Sequence, residues 1–148
     1  MALTQKQLEY QRQWRKNNPN EYRAQQVRTR KNRSAKMAED VDYFAVQYYN
    51  ALKTGAKNRG KPFNLTKKDV RILVETKTTC AATGRKLTRV VGCPDKFSID
   101  RIDNRYGYSM KNVQVVTQQA NIHRLDATWE DFVAMCIDVA KTHTKFSK

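Results

Sequence analysis

Two short apolar runs, separated by ten strongly polar residues, constrain the fold of this chain more than any other feature. "FSIDRI" (97–102) and "VQVV" (113–116) have the length and β-branched content of strands, and "DNRYGYSMKN" between them consists of loop residues. A helical pattern, "TQQANIHRL", follows directly. Two strands, a loop and a helix predict a compact β-β-α unit within an α+β fold.

Helices are predicted on both sides of this unit. Residues 41–52 carry apolar side chains at spacings of three and four, which indicates an amphipathic helix. Thr66 and Asp69 form a capping-box pattern ahead of a second helix, expected to end near Lys77. The stretch "CAATGRKLTRVVG" (80–92) alternates around a Thr-Gly turn and predicts further strands.

A terminal helix is predicted over about residues 128–142, with Thr128 as its N-cap. Phe132, Met135, Cys136 and Val139 share one face of this helix, so Cys136 is expected to pack. This terminal helix is expected to form the core of the β-β-α unit together with four other residues, three from the second strand and one from the short helix that follows it. These four are Val113, Val115, Val116 and Ile122.

The net charge of +15 is concentrated near the N-terminus. Residues 1–36 hold ten Lys or Arg and two Glu, and so contribute +8. Such a surplus repels itself unless a polyanion neutralises it, which favours nucleic acid as the partner. A solvated basic tail is the simpler alternative. The residues predicted to contact DNA are Arg12, Arg15, Lys16, Arg23, Arg28, Arg30, Lys31 and Arg33, together with Arg105 in the central loop.

The basic segment is predicted to form two helices on either side of "NNP" (17–19), because consecutive Asn residues and a Pro interrupt the helical pattern. Tyr10, Trp14 and Tyr22 are interleaved with the charges. They are interpreted either as small packing anchors or as platforms for sugar and base. We therefore expect a DNA-contacting arm over 1–36 and a globular domain over 37–148, whose β-β-α core covers about 79–125.

Several classes of protein are disfavoured by composition. No stretch approaches eighteen consecutive apolar residues, and the N-terminus lacks the pattern of a signal peptide. An intracellular, cytoplasmic protein without a membrane partner is expected. Its three cysteines, Cys80, Cys93 and Cys136, are then expected to be thiols.

The polar residues of the β-β-α unit fall where they could hydrolyse a phosphodiester. That reaction requires a cation, a base for the attacking water and a donor for the phosphate. Asp100 and Asn121 offer the hard oxygen ligands that suit Mg²⁺, and Arg101 offers a permanently charged phosphate donor. The alternatives for these residues are a surface network of Asp and Arg, with Asn121 as an ordinary helix cap.

The segment from Gly55 to Lys141 resembles the HNH (ββα-metal) endonucleases common in bacteriophage genomes, many of them homing-type enzymes. The resemblance follows four stretches in order: "GAKNRGKPFNLT", "CAATGRKL", "SIDRIDNRYGYSMKNVQVV" and "NIHR". It implies that Asp100 and Asn121 bind the catalytic metal and that Asn112 pins the loop between the strands. The glycine of "YGY", Gly107, is expected to allow a positive φ in that loop.

The chain departs from the family pattern at the position of the catalytic base. Arg101 stands where the family usually has the His that activates water. A related group carries Asp-Arg-Gly-His, and Asp103 occupies the position of that His. The resemblance therefore implies Asp103 as base or second ligand and Arg101 as phosphate donor, with His123 as the second candidate base.

A structural zinc is not expected. Many relatives hold one with two Cys-x-x-Cys knuckles, whereas this chain has Cys80 and Cys93, and residues 117–120 read Thr-Gln-Gln-Ala at the second knuckle position.

The sequence thus predicts a DNA endonuclease that depends on Mg²⁺ or Mn²⁺, with double-stranded DNA as its partner and a monomer or homodimer as its assembly. If it is phage-encoded, it would act in the host cytoplasm. The main alternative is a catalytically degenerate DNA-binding protein on the same scaffold. A third interpretation is an RNA-binding arm on a small structural domain.

Overall fold

The computed structural model describes residues 3–143, which form six helices and one two-stranded antiparallel sheet. This confirms a mixed α+β fold. The elements in chain order are α1 (Gln5–Asn17), α2 (Pro19–Glu39), α3 (Val41–Asn58), α4 (Lys67–Thr76), β1 (Phe97–Arg101), β2 (Val113–Thr117), α5 (Gln118–Arg124) and α6 (Trp129–Thr142). The chain divides into two compact units between Lys36 and Met37.

The first unit consists of the two predicted basic helices. α1 begins with a capping box in which Thr4 and Gln7 satisfy each other's backbone N–H groups. Asn18 ends α1, and its backbone and side-chain amides both donate to the Trp14 carbonyl. Pro19 then occupies the first turn of α2, where its missing N–H costs nothing. The break predicted at "NNP" is confirmed.

The second unit is built on an aromatic core. Phe44 and Tyr48 of α3 stack on each other, and both meet the Phe97 ring of β1 edge to face. α4 adds apolar side chains to this cluster, including Val70, which is fully buried. Burying each such side chain stabilises the fold by about 1.5–3 kcal/mol. The capping box at Thr66 and Asp69 is confirmed.

The two strands pair so that Phe97 lies opposite Thr117 and Arg101 lies opposite Val113. All five residues of β1 are buried, including the polar Ser98 and Asp100. A strand covered on both faces forces its polar side chains to find partners within the protein. This is how the fold brings polar groups into its interior beside α5.

The prediction of strands over 80–92 is wrong. The structure has only single bridges there, Thr79 with Lys86 and Thr88 with Lys96. Gly84 and Gly92 both adopt positive φ, at 68° and 86°, and turn the chain before a ladder can extend.

The predicted core role of the terminal helix is also wrong. Thr128 does cap α6, but no residue of α6 is buried, and Met135 and Val139 are about half exposed. Cys136 is exposed as well. Ile122 is 54% exposed because α5 directs Ala120 and Arg124 inward instead. Within residues 3–143, no helix is long and apolar enough to cross a bilayer.

Candidate functional site

A cavity of about 450 Å³ opens between α3, β1, the following loop and α5. Asp100, Arg101 and Asn121 all line it, so the structure brings together three side chains that the sequence singled out. Arg59 at the end of α3 and Asp126 after α5 line the same cavity. The result is a concave site in which two carboxylates and the Asn121 amide lie with two guanidinium groups.

Asp100 is the most enclosed carboxylate of the site, with 4% of its surface exposed. Its Oδ1 accepts a hydrogen bond of 2.6 Å from Arg124 Nη2, and its Oδ2 accepts one of 3.3 Å from the amide of Gln114. Gln114 lies directly opposite Asp100 in the sheet, so the strand register sets the second contact. Two of about four lone-pair positions on this carboxylate are thereby used.

Arg124 is a central residue of the site that the sequence prediction missed. Besides Asp100, it donates to the carbonyl of Arg101 at 3.0 Å and to Asn104 Oδ1 at 3.3 Å, and it contacts the Ala127 carbonyl. Its guanidinium lies 5.2 Å from the centre of the Trp129 ring. Arg124 is 2% exposed and Asp100 is 4% exposed, so the two residues form a buried ion pair. The only hint in the sequence was its place at the end of the "NIHR" stretch, since composition gives no sign that one Arg among many is buried.

Arg101 holds the loop that follows β1. Its Nη1 donates to the carbonyls of Asn104 at 3.0 Å and Tyr106 at 3.2 Å, and its guanidinium lies 5.3 Å from the centre of the Tyr108 ring. The side chain is buried, yet it still borders the cavity. Because a guanidinium has five donors, these contacts leave donors that can meet an anion.

Asn121 faces the cavity from the middle of α5. The alternative that Asn121 is an ordinary helix cap is wrong, because α5 begins at Gln118 after the Thr117 N-cap. The Asn121 amide nitrogen donates to Ser98 Oγ at 2.8 Å. Since that bond fixes the amide orientation, the carbonyl oxygen is the atom left to act as a ligand.

The donor set fits a hard divalent cation. Asp100 and Asn121 border one cavity and offer oxygen atoms, and Mg²⁺ typically binds one or two carboxylates and keeps several waters. Asp126 could add a second carboxylate from the cavity edge. Among residues 3–143, there is no cluster of three or more His, Cys, Asp or Glu that could hold a metal. The fit therefore depends on an amide oxygen and on ligands from water and phosphate.

Asp103 lies outside this cavity. Its carboxylate is held by Arg105 through bonds of 2.7–3.1 Å from the guanidinium and 2.8 Å from the backbone N–H. These hydrogen bonds, and the positive charge of Arg105, lower the pKa of Asp103. A carboxylate with a lowered pKa is a poorer proton acceptor than an ordinary one. Arg105 itself is exposed, but its guanidinium is committed to Asp103.

His123 is exposed on another side of α5. It borders two smaller cavities, one beside the 91–96 turn and one beside α6, and it does not line the cavity of Asp100. The structure therefore brings neither predicted base, Asp103 or His123, to the residues predicted to hold the metal.

Asn112 ties the loop between the strands. Its Oδ1 accepts from the Asp103 N–H at 3.0 Å, and its Nδ2 donates to the carbonyls of Asp103 at 3.0 Å and Gly107 at 2.9 Å. One side chain thus joins three points of the loop, as a structural residue would.

Arg59 and Asp126 are cavity residues that sequence reasoning did not assign. Arg59 donates to the Tyr108 hydroxyl at 2.9 Å. Asp126 follows Leu125, which has a positive φ of 52°, in a turn closed by a hydrogen bond from Ala127 N–H to the Arg124 carbonyl. After that turn, Asp126 lines the cavity, while Arg124 lies behind it and contacts Asp100. The quoted "GAKNRG" stretch contained Arg59, but spacing alone does not bring it near Asp100.

Cys80 accepts a hydrogen bond within the protein. The backbone N–H of Thr117 donates to its Sγ at 3.2 Å. The sulfur is buried against Val116 and Ala120, so the contact fastens the 80–84 turn to the start of α5.

The basic residues predicted to contact DNA from the first unit are all exposed on α1 and α2. Arg15 lies with its guanidinium 5.3 Å from the centre of the Tyr22 ring.

Comparison with known proteins gives one informative similarity. Over 79 residues, the chain is 35% identical to a protein of Enterobacteria phage T4 described as an uncharacterized 29.0 kDa protein in the dda-modA intergenic region. The match covers 53% of this chain and 31% of that protein, so the chain spans less than a third of its relative. No family model matches the chain, and no solved structure matches it.

Proposed function

We propose that this protein is a metal-dependent DNA endonuclease of the ββα-metal (HNH) type. The observation that carries the proposal is the cavity shared by Asp100, Asn121 and Arg101 at the junction of β1 and α5. Oxygen ligands and a guanidinium in one concave site are the groups that phosphodiester hydrolysis requires.

Asp100 and Asn121 would hold Mg²⁺ or Mn²⁺ through their free oxygen positions. The bound cation would supply charge neutralisation at the scissile phosphate and at the leaving oxygen. Gln114 would fix the orientation of Asp100, because its amide donates a hydrogen bond to that carboxylate. Ser98 would fix the orientation of Asn121, because its hydroxyl oxygen accepts a hydrogen bond from that amide.

Arg59 and Arg101 would bind the phosphate. Two arginines and two aspartates line the cavity, and the buried Arg124, which is not a lining residue, pairs with one of those aspartates, Asp100. Since Arg124 offsets the charge of Asp100, the guanidinium groups of Arg59 and Arg101 are left to meet an anionic backbone that enters the cavity. Arg101, whose Nη1 also holds two loop carbonyls, would couple phosphate binding to the loop conformation.

Asp126 is the best-placed residue to orient the attacking water. It borders the cavity of Asp100 and Asn121, whereas Asp103 is bound to Arg105 and His123 faces elsewhere. A carboxylate beside a metal site can accept a proton from water or align the water for in-line attack.

The basic arm would supply phosphate contacts that are independent of sequence. Double-stranded DNA is the proposed partner, because the arm's charge of +8 calls for a polyanion. With a relative in phage T4, the host cytoplasm is the proposed place of action. Both a monomer and a homodimer remain within the proposal.

The test is incubation with supercoiled plasmid, with Mg²⁺, with Mn²⁺ or with a chelator. Nicking or linearisation that requires metal and is lost in Asp100→Asn supports the proposal. The amide is preferred to alanine because it retains an oxygen for Arg124, so the variant keeps one contact of the buried pair. Equal cleavage by the parent and by Asp100→Asn would contradict it.

The Asp100–Arg124 ion pair favours a second candidate, a DNA-binding protein without cleavage. A carboxylate that is already neutralised by a buried guanidinium attracts a metal cation less strongly than a carboxylate without such a partner. This candidate predicts retardation of duplex DNA on a gel and no cleavage in any divalent metal.

A further inference from the structure

The first unit contains a groove that the proposed nuclease site does not use. It has a volume of about 440 Å³ and lies between α1 and α2. Three aromatic side chains line it, Tyr10 and Trp14 from α1 and Tyr22 from α2. The polar residues that line it with them are Gln11, Arg15, Gln25, Gln26 and Thr29.

These aromatic residues do not form a closed core. Neither α1 nor α2 has a buried residue, Tyr10 is 71% exposed, and Trp14 and Tyr22 are only half-buried. Exposed apolar side chains that are grouped in one groove, rather than scattered singly, are typical of a binding site. The Arg15 guanidinium lies 5.3 Å from the centre of the Tyr22 ring, so a cation is already held at the aromatic groove.

The charge around the groove indicates which ligand covers the rings. Arg15 lines the groove, and the segment that forms it carries a charge of +8. A groove with aromatic rings and amide side chains, in a strongly basic segment, matches the recognition of single-stranded nucleic acid, where bases stack on rings and phosphates meet cations. Duplex DNA keeps its bases stacked inside and offers no free face to these rings.

We propose that the groove of Tyr10, Trp14 and Tyr22 binds unpaired nucleobases of single-stranded DNA. The choice of DNA rests on the proposed function; the stacking chemistry itself does not. The arm would then direct the protein to DNA with an unpaired segment beside a duplex, with Gln11, Gln25 and Gln26 able to hydrogen-bond base edges.

The test is binding of the full chain, in a chelator so that no cleavage interferes, to four labelled probes. They are oligothymidylate, the same strand with abasic sites throughout, oligouridylate and a hairpin duplex. Tyr10→Ala should weaken binding to oligothymidylate by about 5- to 150-fold and leave binding to the abasic strand and the duplex unchanged. Tyr22→Phe should bind like the parent because it keeps the ring.

Val27→Ala is the matched control, since Val27 is exposed on α2 outside the groove. Circular dichroism of each variant checks that the helices persist, and the 71% exposure of Tyr10 makes its removal structurally mild. Tighter binding to oligouridylate than to oligothymidylate would support the groove but would overturn its assignment to DNA. Equal affinity of the parent for the abasic and base-bearing strands would overturn the proposal, whether or not the plasmid is cleaved.

Discussion

At the scale of single residues, the buried Asp100–Arg124 pair has the largest consequences for stability. Each charge is almost wholly removed from water, so each depends on the other for compensation. Breaking such a pair from one side leaves an uncompensated buried charge, whereas an exposed pair contributes little. Asp100 therefore affects both stability and the proposed catalysis, because the same carboxylate is the proposed metal ligand.

Arg124→Ala should lower the free energy of unfolding by about 3–5 kcal/mol, because it strands the Asp100 carboxylate in the interior. Urea denaturation followed by circular dichroism measures the change. Arg85→Ala is the control, since Arg85 pairs with Asp95 at a side chain that is 52% exposed, and its removal should cost less than about 1 kcal/mol. Similar costs for the two variants would show that the Asp100–Arg124 pair is not buried as described.

Leu125 carries backbone strain beside the site. Its φ of 52° is unfavourable for a side chain with a Cβ, and 72% exposure means that the leucine gains little from packing. Leu125→Gly should therefore stabilise the protein by about 1 kcal/mol, the relief of strain exceeding the entropy cost of glycine. Thermal unfolding measures this change in stability. Leu125→Ala keeps the Cβ and should give no gain; a glycine variant less stable than the alanine variant would contradict the strain.

At the scale of elements, the loop between β1 and β2 is held by Asn112. Asn112→Ala removes three hydrogen bonds and leaves the Asp103 N–H and two carbonyls without their partner, which should cost about 1–3 kcal/mol. Faster hydrogen exchange at the Asp103 amide would report the opening directly. Asn64→Ala, at an exposed asparagine of the same unit, should change neither quantity. Unchanged exchange in Asn112→Ala would contradict the role of Asn112.

The elements that follow local rules could be predicted from the sequence. The Thr66 capping box, the Thr128 N-cap and the break at 17–19 depend on neighbours within a few residues, and all three are confirmed. Asp100, Arg101 and Asn121 could be singled out because their side-chain types suit phosphodiester hydrolysis and because the β-β-α pattern predicted that the first strand and the helix meet.

Features that depend on distant contacts could not be predicted. Gly107 does not adopt the expected positive φ; a Cβ there would lie 2.2 Å from the Pro62 carbonyl oxygen, so the glycine allows a close approach of two segments. The burial of Arg124 depends on a strand more than twenty positions earlier in the chain. The exposed α6 had a periodic apolar face, but periodicity does not show whether another element lies against that face.

At the scale of the whole molecule, the uneven charge governs DNA affinity. Duplex binding in a chelator should weaken steeply with salt, and each arm residue that contacts a phosphate should contribute about one unit to the slope of log K against log salt. Replacing Arg28, Arg30 and Lys31 together by Gln should make that slope shallower by up to about three units, as measured by fluorescence anisotropy. An unchanged slope would show that the arm does not contact the DNA backbone.

The central claim, that Asp100 and Asn121 form a metal-dependent nuclease site, is tested most directly by one rate. This is the initial rate at which supercoiled plasmid becomes nicked or linear in Mg²⁺, compared between Asn121→Ala and Gln119→Ala. Gln119 lies on the same helix, but its side chain contacts Arg85 and borders a different cavity. Cleavage should be lost in Asn121→Ala and retained in Gln119→Ala, with both variants folded. Parent-like cleavage by Asn121→Ala, or metal-independent cleavage by the parent, would contradict it.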